Sequence, residues 1–305
     1  MYKILFVRNP KAYLPEISAY VNYFNKSEHF QAYDSKDLES DLDLAQFDVI
    51  WEFMGRGGTK IESNQLSVHE YVSLSTGRMP RIKNLVKSTL NPKPDLRVFL
   101  NPDVKNDFKF NDSVPFVYRD MGINPSFINK GKQPEKEYDF VYTGVIASVR
   151  GLDVFLKAFS ENPNGKLLLI GEASEEIFGM YHNHPNITFT GVLPYNEVAS
   201  YVSKAKYGIN YIPNKYPFNK QTSTKLIEYL SLGLEIITTD YKWVRDFEKK
   251  HQLNFHYLTE NNEINIEQIE ADSTKNHFNA ESFLWDEIIR ESHLEEELLK
   301  LLKDK

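Results

Sequence analysis

The sequence predicts an α/β protein of two domains, of which the second is Rossmann-like. The chain has 305 residues, and at about 150 residues per domain this length favours two hydrophobic cores. Apolar residues make up 41% and charged residues 26% of the chain, which is typical of a globular protein. From residue 138 onward, short apolar runs alternate with segments of helical length. This alternation predicts βαβ crossovers and a parallel sheet covered on both faces.

The elements of the first half are short. Apolar and β-branched runs predict strands at 3–7 and 47–51, a strand or strand end at 66–74, and two short strands at 97–100 and 114–117. A helix is predicted between the first two strands, at about 16–26. The polar stretch 129–137 offers little to bury and predicts a domain boundary. The predicted division is therefore 1–128, 129–275 and a C-terminal segment, 276–305.

The second half is more regular. Strands are predicted at 140–143, 166–171, 187–189, 207–211 and 236–239, with helices at 152–159, 196–203 and 225–232. Gly233 follows the last of these helices, where a glycine commonly ends one. In the last 30 residues or so, leucines recur at helical spacing and predict an amphipathic helix.

Several function classes are excluded or disfavoured by composition. The chain has no cysteine, which excludes thiol catalysis, cysteine-bound zinc and disulfides. Its net charge of −7 argues against general nucleic-acid binding, which needs a clustered positive field. Asp41 and Asp43 lack a phosphate-binding context, and His182 and His184 are two residues apart beside a proline, so no metal requirement is predicted. The sequence predicts neither a signal peptide nor a membrane-spanning segment, and the expected location is the cytoplasm.

Ligands of open α/β sheets bind beyond the carboxyl ends of the strands. The loop from Gly144 to Gly151 contains small residues and one cation, Arg150, and then a helix start. Phosphate recognition needs free N–H groups, a helix N-terminus and a positive charge, all of which this loop offers. The alternative interpretation is a plain βα turn with a solvent-exposed arginine.

A second candidate site precedes the predicted helix 225–232. Thr222, Ser223 or Thr224 is expected to cap this helix. Lys225 and Glu228 are three residues apart, which places a cation and a hydroxyl acceptor on one helix face. Such a pair suits a nucleotide sugar, whose ribose presents a diol and whose diphosphate presents charge. The alternative is a surface ion pair.

The stretch 223–240 resembles the donor-site signature of GT-B glycosyltransferases of the retaining group 1 or family 4 type. Four further segments resemble the same family in the same order: 140–151, 167–172, 189–194 and 283–285. The resemblance implies two Rossmann-like domains facing a cleft. It also implies that 1–128 binds the acceptor, that 129–275 binds the nucleotide-sugar donor, and that the C-terminal helix in 276–305 crosses back to the first domain.

The resemblance assigns roles to individual residues. Glu228 is expected to hold the ribose hydroxyls, Arg150 and Lys225 the diphosphate, and His69 to face the transferred sugar, so His69, Arg150 and Lys225 are the predicted catalytic residues. A lone histidine is more often structural. The predicted donor-binding residues are Gly144, Arg150, Gly171, Gly191, Val192, Leu193, Lys220, Thr222, Ser223, Thr224, Lys225 and Glu228.

The sequence also departs from the family pattern. Lys220 stands where the family has the first glutamate of a pair, and Val145 stands where an arginine often follows the first glycine. The glycine pair expected after the first strand is replaced by residues 8–11. A glycine-rich loop at 55–58 either faces the acceptor or is an ordinary turn.

The predicted function is therefore metal-independent transfer of a sugar from a nucleotide diphosphate sugar, the co-substrate, to a hydroxyl of a glycan or lipid-linked glycan. The resemblance implies a hexosyltransferase-like enzyme of polysaccharide biosynthesis that retains the anomeric configuration, with no cofactor. Two alternatives stay open: a nucleotide-sugar epimerase-like GT-B enzyme, and a non-catalytic nucleotide-sugar-binding subunit.

One basic segment is unexplained by the donor site. Five cations and no acid lie between Arg78 and Pro94. In an acidic chain this segment suggests contact with an anionic acceptor or with anionic lipid at the inner face of the membrane. The alternative is a solvated helix face. The five cations are Arg78, Arg81, Lys83, Lys87 and Lys93.

Overall fold

In the computed structural model the chain forms two compact units, each built on one six-stranded sheet. The first unit comprises Met1–Gly122 and Ser282–Lys305, and the second comprises Ile123–Glu281. The structure describes residues 1–8, 14–38, 43–53, 59, 61–129, 131, 134–161, 163, 165–271 and 276–305. The candidate residues at 9–11, 41–42 and 55–58 lie outside these ranges. In both sheets every described strand pair is parallel, which confirms the predicted α/β class.

The sheet of the first unit has the strand order β2-β1-β3-β4-β5-β6. Its strands are β1 (Tyr2–Val7), β2 (Phe30–Asp34), β3 (Val49–Phe53), β4 (Leu66–Tyr71), β5 (Leu96–Phe99) and β6 (Phe116–Tyr118). Three helices alternate with them: α1 (Pro15–Phe24), α2 (Pro80–Leu90) and α3 (Pro102–Phe108). This half therefore contains a complete sheet, where the sequence predicted short strands and irregular loops.

The sheet of the second unit has the order β12-β11-β10-β7-β8-β9. The strands are β7 (Tyr138–Thr143), β8 (Leu167–Ile170), β9 (Ile187–Gly191), β10 (Ala205–Asn210), β11 (Glu235–Thr238) and β12 (His256–Tyr257). The helices are α4 (Leu152–Glu161), α5 (Glu175–Tyr181), α6 (Tyr195–Val202), α7 (Thr224–Ser231), α8 (Lys242–His251) and α9 (Ile266–Ala271). The direction of strand succession reverses between β7 and β10, and ligands of such sheets bind at this reversal.

The C-terminal segment belongs to the first unit. It forms α10 (Trp285–Glu291) and α11 (Leu294–Lys303), and α10 contacts α1. Trp285 and Leu298 share one core with Ile17 and Phe24 of α1. A Cβ atom on Gly122 would lie 2.6 Å from the Trp285 ring, so this close approach depends on glycine. The predicted packing of the C-terminal helix on the first domain is confirmed.

A charged network lies inside this core. Glu70 of β4 and Arg119 are both buried and form an ion pair. The Arg119 Nε donates to Tyr20 Oη at 2.7 Å, and the Trp51 indole N–H donates to Glu70 Oε2 at 2.8 Å. Burying two charges is costly unless each is paired and hydrogen-bonded, and this network meets both conditions.

The sequence did not predict β2, β12, α3, α5, α8 or α9, and it offered a helix at α2 only as the alternative interpretation of the basic segment. In α2 the reason is physical: the helix buries Asn84 and exposes apolar side chains, so its pattern is the reverse of the one expected for a helix packed on a core. In α8 the buried residues are Val244 and Phe247, and most of its other residues are charged. The strand predicted at 66–74 ends at Tyr71. In the described ranges, no helix combines the length and apolar character needed to cross a bilayer.

Candidate functional site

The strand reversal in the second unit places the ends of β7 and β10 beside each other, and α7 packs against them. The Thr143 backbone N–H donates to Tyr229 Oη at 2.8 Å, which ties α7 to the end of β7. A Cβ atom on Gly208 would lie 2.3 Å from the Tyr229 ring. Because Gly208 has no side chain, α7 can approach β10 closely enough for this bond to form.

The N-terminus of α7 is held by a buried polar network rather than by a cap. Ser223 occupies the N-cap position, but its side chain caps no helix N–H group. Its hydroxyl donates instead to Asn210 Oδ1 at 2.7 Å. The Asn210 amide in turn donates to Thr238 Oγ1 at 2.9 Å and to Tyr241 Oη at 3.1 Å. The Ser223 hydroxyl therefore bonds to Asn210 and does not cap α7. None of the N–H groups in the first turn of the helix donates to the Ser223 side chain.

Lys225 is the central cation of this site. Its ammonium nitrogen lies 3.9 Å from the centroid of the Tyr142 ring, and a Cβ atom on Gly144 would lie 3.7 Å from it. Burial and, after it, the charge of Arg150 together lower the pKa of Lys225 to about 7, against an opposing effect of Glu228. Among the described residues, no carboxylate forms an ion pair with Lys225. The site therefore offers a partly desolvated cation to an external anion.

Arg150 lies on the neighbouring loop. It ends a 3-10 turn, Ser148–Arg150, and Gly151 follows in the left-handed conformation with φ of 72°. Its guanidinium carbon lies 5.1 Å from the centroid of the Phe218 ring, within the range of a cation–π contact. Phe218 thus links the Arg150 loop to the segment that precedes α7.

Glu228 is buried one turn after Lys225. Its Oε1 accepts a hydrogen bond from Tyr195 Oη at 2.7 Å. Burial raises the pKa of Glu228 to about 7, while Tyr195 and Lys225 oppose this shift. The alternative of a surface ion pair with Lys225 is wrong, because Glu228 is buried and bonds to Tyr195 instead.

The sequence profile of the family described as glycosyl transferases group 1 matches residues 124–275, about half of the chain. The chain belongs to this glycosyltransferase family. The matched residues include both loops and the helix that hold Arg150, Lys225 and Glu228.

Solved structures show the same fold. Sucrose-phosphate synthase from Thermosynechococcus elongatus superposes with a TM-score of 0.70 at 13% identity, covering 98% of this chain and 100% of that one. AviGT4, a glycosyltransferase involved in avilamycin A biosynthesis, superposes with a TM-score of 0.66 at 13% identity, covering 100% of this chain and 99% of that one. Anabaena HepE in complex with UDP-glucose superposes with a TM-score of 0.62 at 10% identity, covering 100% of this chain and 98% of that one. These likenesses establish the GT-B fold, and no curated protein matches the sequence.

The glycine loops of this glycosyltransferase touch one another. The Gly144 N–H donates to Ile170 O, and the Gly171 N–H donates to Gly191 O, both at 2.9 Å. Gly171 has φ of +136°, and a Cβ atom on it would lie 2.1 Å from Gly144 O. The predicted residues Gly144, Gly171 and Gly191 therefore lie on three adjoining loops at one sheet edge. Val192 beyond them is exposed and Leu193 is partly buried.

Three other predicted donor residues lie just before α7 or at its first position. Lys220 ends the 3-10 turn Phe218–Lys220 and is partly buried. Thr222 lies between this turn and Ser223, and Thr224 is the first residue of α7. All three are therefore on the segment that Phe218 connects to Arg150.

His69 is in the first unit, whereas all the other predicted site residues are in the second. It is buried within β4, and its Nε2 lies 3.7 Å from Glu52 Oε2. Burial and, after it, the charge of Arg97 together lower the pKa of His69 to about 4, against an opposing effect of Asp95. The imidazole is therefore neutral near pH 7, and its catalytic role stays a prediction.

Three aromatic residues of the site were not singled out in the sequence. Tyr142 supports the Lys225 ammonium, Tyr195 bonds to Glu228, and Tyr229 ties α7 to β7. Tyr142 lies on a predicted strand and Tyr229 on a predicted helix, and nothing in their spacing distinguishes them from packing residues. Tyr195 directly follows the loop 189–194, and that position is the one clue to its place.

Proposed function

We propose that this glycosyltransferase moves a sugar from a nucleoside-diphosphate sugar to a hydroxyl group of a glycan or lipid-linked glycan, without a metal ion and with retention of anomeric configuration. One observation carries the proposal. Within the described part of the chain, the Lys225 ammonium is held over Tyr142 at the end of β7 with no carboxylate paired to it. A diphosphate is an anion of the charge and size that such a position can accept.

The chemistry follows from where negative charge develops. In the transfer, the bond from the anomeric carbon to the diphosphate oxygen breaks and its electron pair stays on the diphosphate. The acceptor oxygen forms the new bond to the anomeric carbon on the same face, and its proton passes to the departing diphosphate oxygen. Lys225, Arg150 and the first-turn N–H groups of α7 stabilise the leaving diphosphate, because positive charge placed in advance at a developing anion lowers the barrier.

The remaining residues are assigned to the other parts of the donor. Glu228, held by Tyr195, accepts hydrogen bonds from the ribose hydroxyls. Gly191, Val192 and Leu193 contact the base, and Lys220, Thr222 and Thr224 approach the transferred sugar. The structures of HepE with UDP and with UDP-glucose support uracil as the first base to test.

The acceptor is assigned to the first unit, in which His69 is proposed to face the transferred sugar. The acceptor belongs to polysaccharide biosynthesis, and the enzyme works on the cytoplasmic side of the membrane. The basic residues Arg78, Arg81, Lys83, Lys87 and Lys93 belong to the same unit and are proposed to contact an anionic partner.

The test is calorimetric titration of the Glu228→Gln variant with UDP. Hydrogen bonds to a charged group contribute about 1.5–3 kcal/mol, so the variant is expected to bind UDP about 10- to 100-fold more weakly. Glu197→Gln on α6 removes an exposed carboxylate of the same unit and is expected to leave UDP affinity unchanged. Equal affinity in wild type and Glu228→Gln would place the ribose elsewhere.

A turnover assay separates the two alternatives. Transfer or hydrolysis of a nucleotide sugar supports the proposal, whereas interconversion of the donor without an acceptor supports an epimerase. Nucleotide binding with no turnover of any donor supports a binding subunit.

The site also predicts a proton-linked affinity. Burial lowers the pKa of Lys225 to about 7, so above pH 7 part of the free enzyme carries a neutral amine. A bound diphosphate favours the ammonium, and UDP binding at pH 8 is therefore expected to take up protons. Calorimetry in buffers of different ionisation enthalpy measures this uptake. The Lys225→Met variant should lose it, and an uptake that persists in this variant would assign the proton to another group.

A further inference from the structure

The helix α2 of the first unit is inverted with respect to a normal surface helix. Within Pro80–Leu90 the buried residue is Asn84, whose Oδ1 accepts a hydrogen bond from the Ser75 N–H at 2.9 Å. The opposite face is apolar and open to solvent: Ile82, Leu85, Val86 and Leu90 are 55%, 51%, 46% and 78% exposed. A helix of a globular protein usually turns such a stripe inward. In α2 a polar contact holds the helix and the apolar stripe faces outward.

The charges around this stripe are all positive. From Arg78 to Pro94 the chain has five cations and no acid, although its net charge is −7. At about 100° per residue, Arg81 and Lys83 fall at opposite edges of the stripe. The stripe and its cations also line an open groove of about 1150 Å³, to which Arg78, Lys83 and Lys87 contribute.

We propose that α2 lies in the surface of an anionic lipid bilayer, with its apolar stripe inserted among the acyl chains and its flanking cations on the lipid phosphates. Interfacial helices have this arrangement of an apolar face bordered by Lys and Arg. Positive charge on both edges of the stripe matches a plane of phosphates that surrounds an inserted helix. All of these residues lie in the first unit, and the test is done without substrate, so its outcome does not depend on the donor assignment.

The test is sedimentation of the full chain with two kinds of vesicle. One is made of phosphatidylcholine alone, and the other of phosphatidylcholine with about 30% phosphatidylglycerol, an anionic lipid. The wild type is expected to bind the anionic vesicles and to be released by high salt, because the electrostatic part is screened. Equal recovery in the supernatant with and without anionic lipid would overturn the proposal.

Two variants separate apolar insertion from charge. Ile82→Ser with Leu85→Ser and Val86→Ser should weaken binding by more than about tenfold, because each buried methylene contributes about fourfold to partitioning. Arg78→Gln with Lys83→Gln should weaken it by about fivefold for each charge removed. Met180→Ser is the control, since Met180 is 56% exposed on α5 beside acidic residues, and it should bind like wild type.

The remaining outcomes are also decisive. Ile82→Ser alone is a milder change at a 55% exposed position, and it should weaken binding while leaving the thermal unfolding midpoint in place. Loss of binding in Met180→Ser to the same extent as in Ile82→Ser would overturn the role of α2. A wild-type dimer in solution that the triple serine variant converts to a monomer, with no vesicle binding, would instead assign the stripe to a second copy of the chain.

Discussion

Replacing Lys225 with Met is expected to lower kcat by about 10²- to 10³-fold, the typical cost of removing one group that stabilises a developing anion. Methionine keeps most of the length of the side chain and can still lie on Tyr142, so the change removes mainly the charge. Steady-state kinetics with the preferred nucleotide sugar measure the effect. A fall in kcat that exceeds the fall in donor affinity would show that Lys225 acts on the leaving diphosphate more than on the bound donor.

Lys157→Met is the matched control for this experiment. Lys157 is exposed on α4 of the same unit, where it lies 4.0 Å from Glu161. The variant loses the same charge and is expected to keep both kcat and donor affinity. If Lys157→Met and Lys225→Met lowered kcat equally, the effect would come from the overall field of the unit and not from the site.

Replacing Arg119 with Met is expected to destabilise the first unit by about 3–5 kcal/mol, because it leaves the buried Glu70 carboxylate without its counter-ion. The Glu70 carboxylate would keep the Trp51 indole as a donor but lose the guanidinium. Urea unfolding followed by tryptophan fluorescence measures the loss, since Trp51 and Trp285 are both in the first unit. Trp243 in the second unit reports a separate transition.

Two further variants test the cause. Arg290→Met removes an exposed arginine that pairs with Glu287 and Glu291 on the same unit. Because solvent screens exposed ion pairs, this variant is expected to unfold at nearly the same urea concentration as the wild type. Adding Glu70→Gln to Arg119→Met removes the unpaired charge and should restore a large part of the stability. An undiminished loss in the double variant would show that Arg119 acts by packing on Tyr20 and Trp285 and not by charge.

The sequence predicted the second unit better than the first for a physical reason. The strand β8 is buried on both faces and appears as a continuous apolar run, and β7 is buried from Phe140 onward. The first unit places polar groups inside, such as Glu70 and Arg119, and apolar groups outside, as on α2. A pattern that assigns apolar residues to the core therefore misplaces elements of this unit.

The donor-site residues were predicted by position in the chain, but their partners were not. Lys225 and Glu228 were placed on one helix face by their spacing, and the structure puts both at the strand reversal. Their contacts with Tyr142 and Tyr195 connect residues 83 and 33 positions apart, and only the fold brings such residues together. The sequence also did not predict that Ser223 bonds to Asn210 and leaves α7 uncapped, because serine is a common N-cap residue.

The return of residues 282–305 to the first unit has a consequence for synthesis on the ribosome. Chains emerge from the N-terminus, and domains tend to fold as soon as they are complete. The second unit, Ile123–Glu281, is a single stretch and can fold once it has emerged. The first unit cannot complete its core at that stage. Ile17, Tyr20 and Phe24 share this core with Trp285, Ile289 and Leu298, which are synthesised last. The half of the protein that is translated first is therefore the half that completes its folding last. Until then its apolar core residues are exposed to solvent and to aggregation.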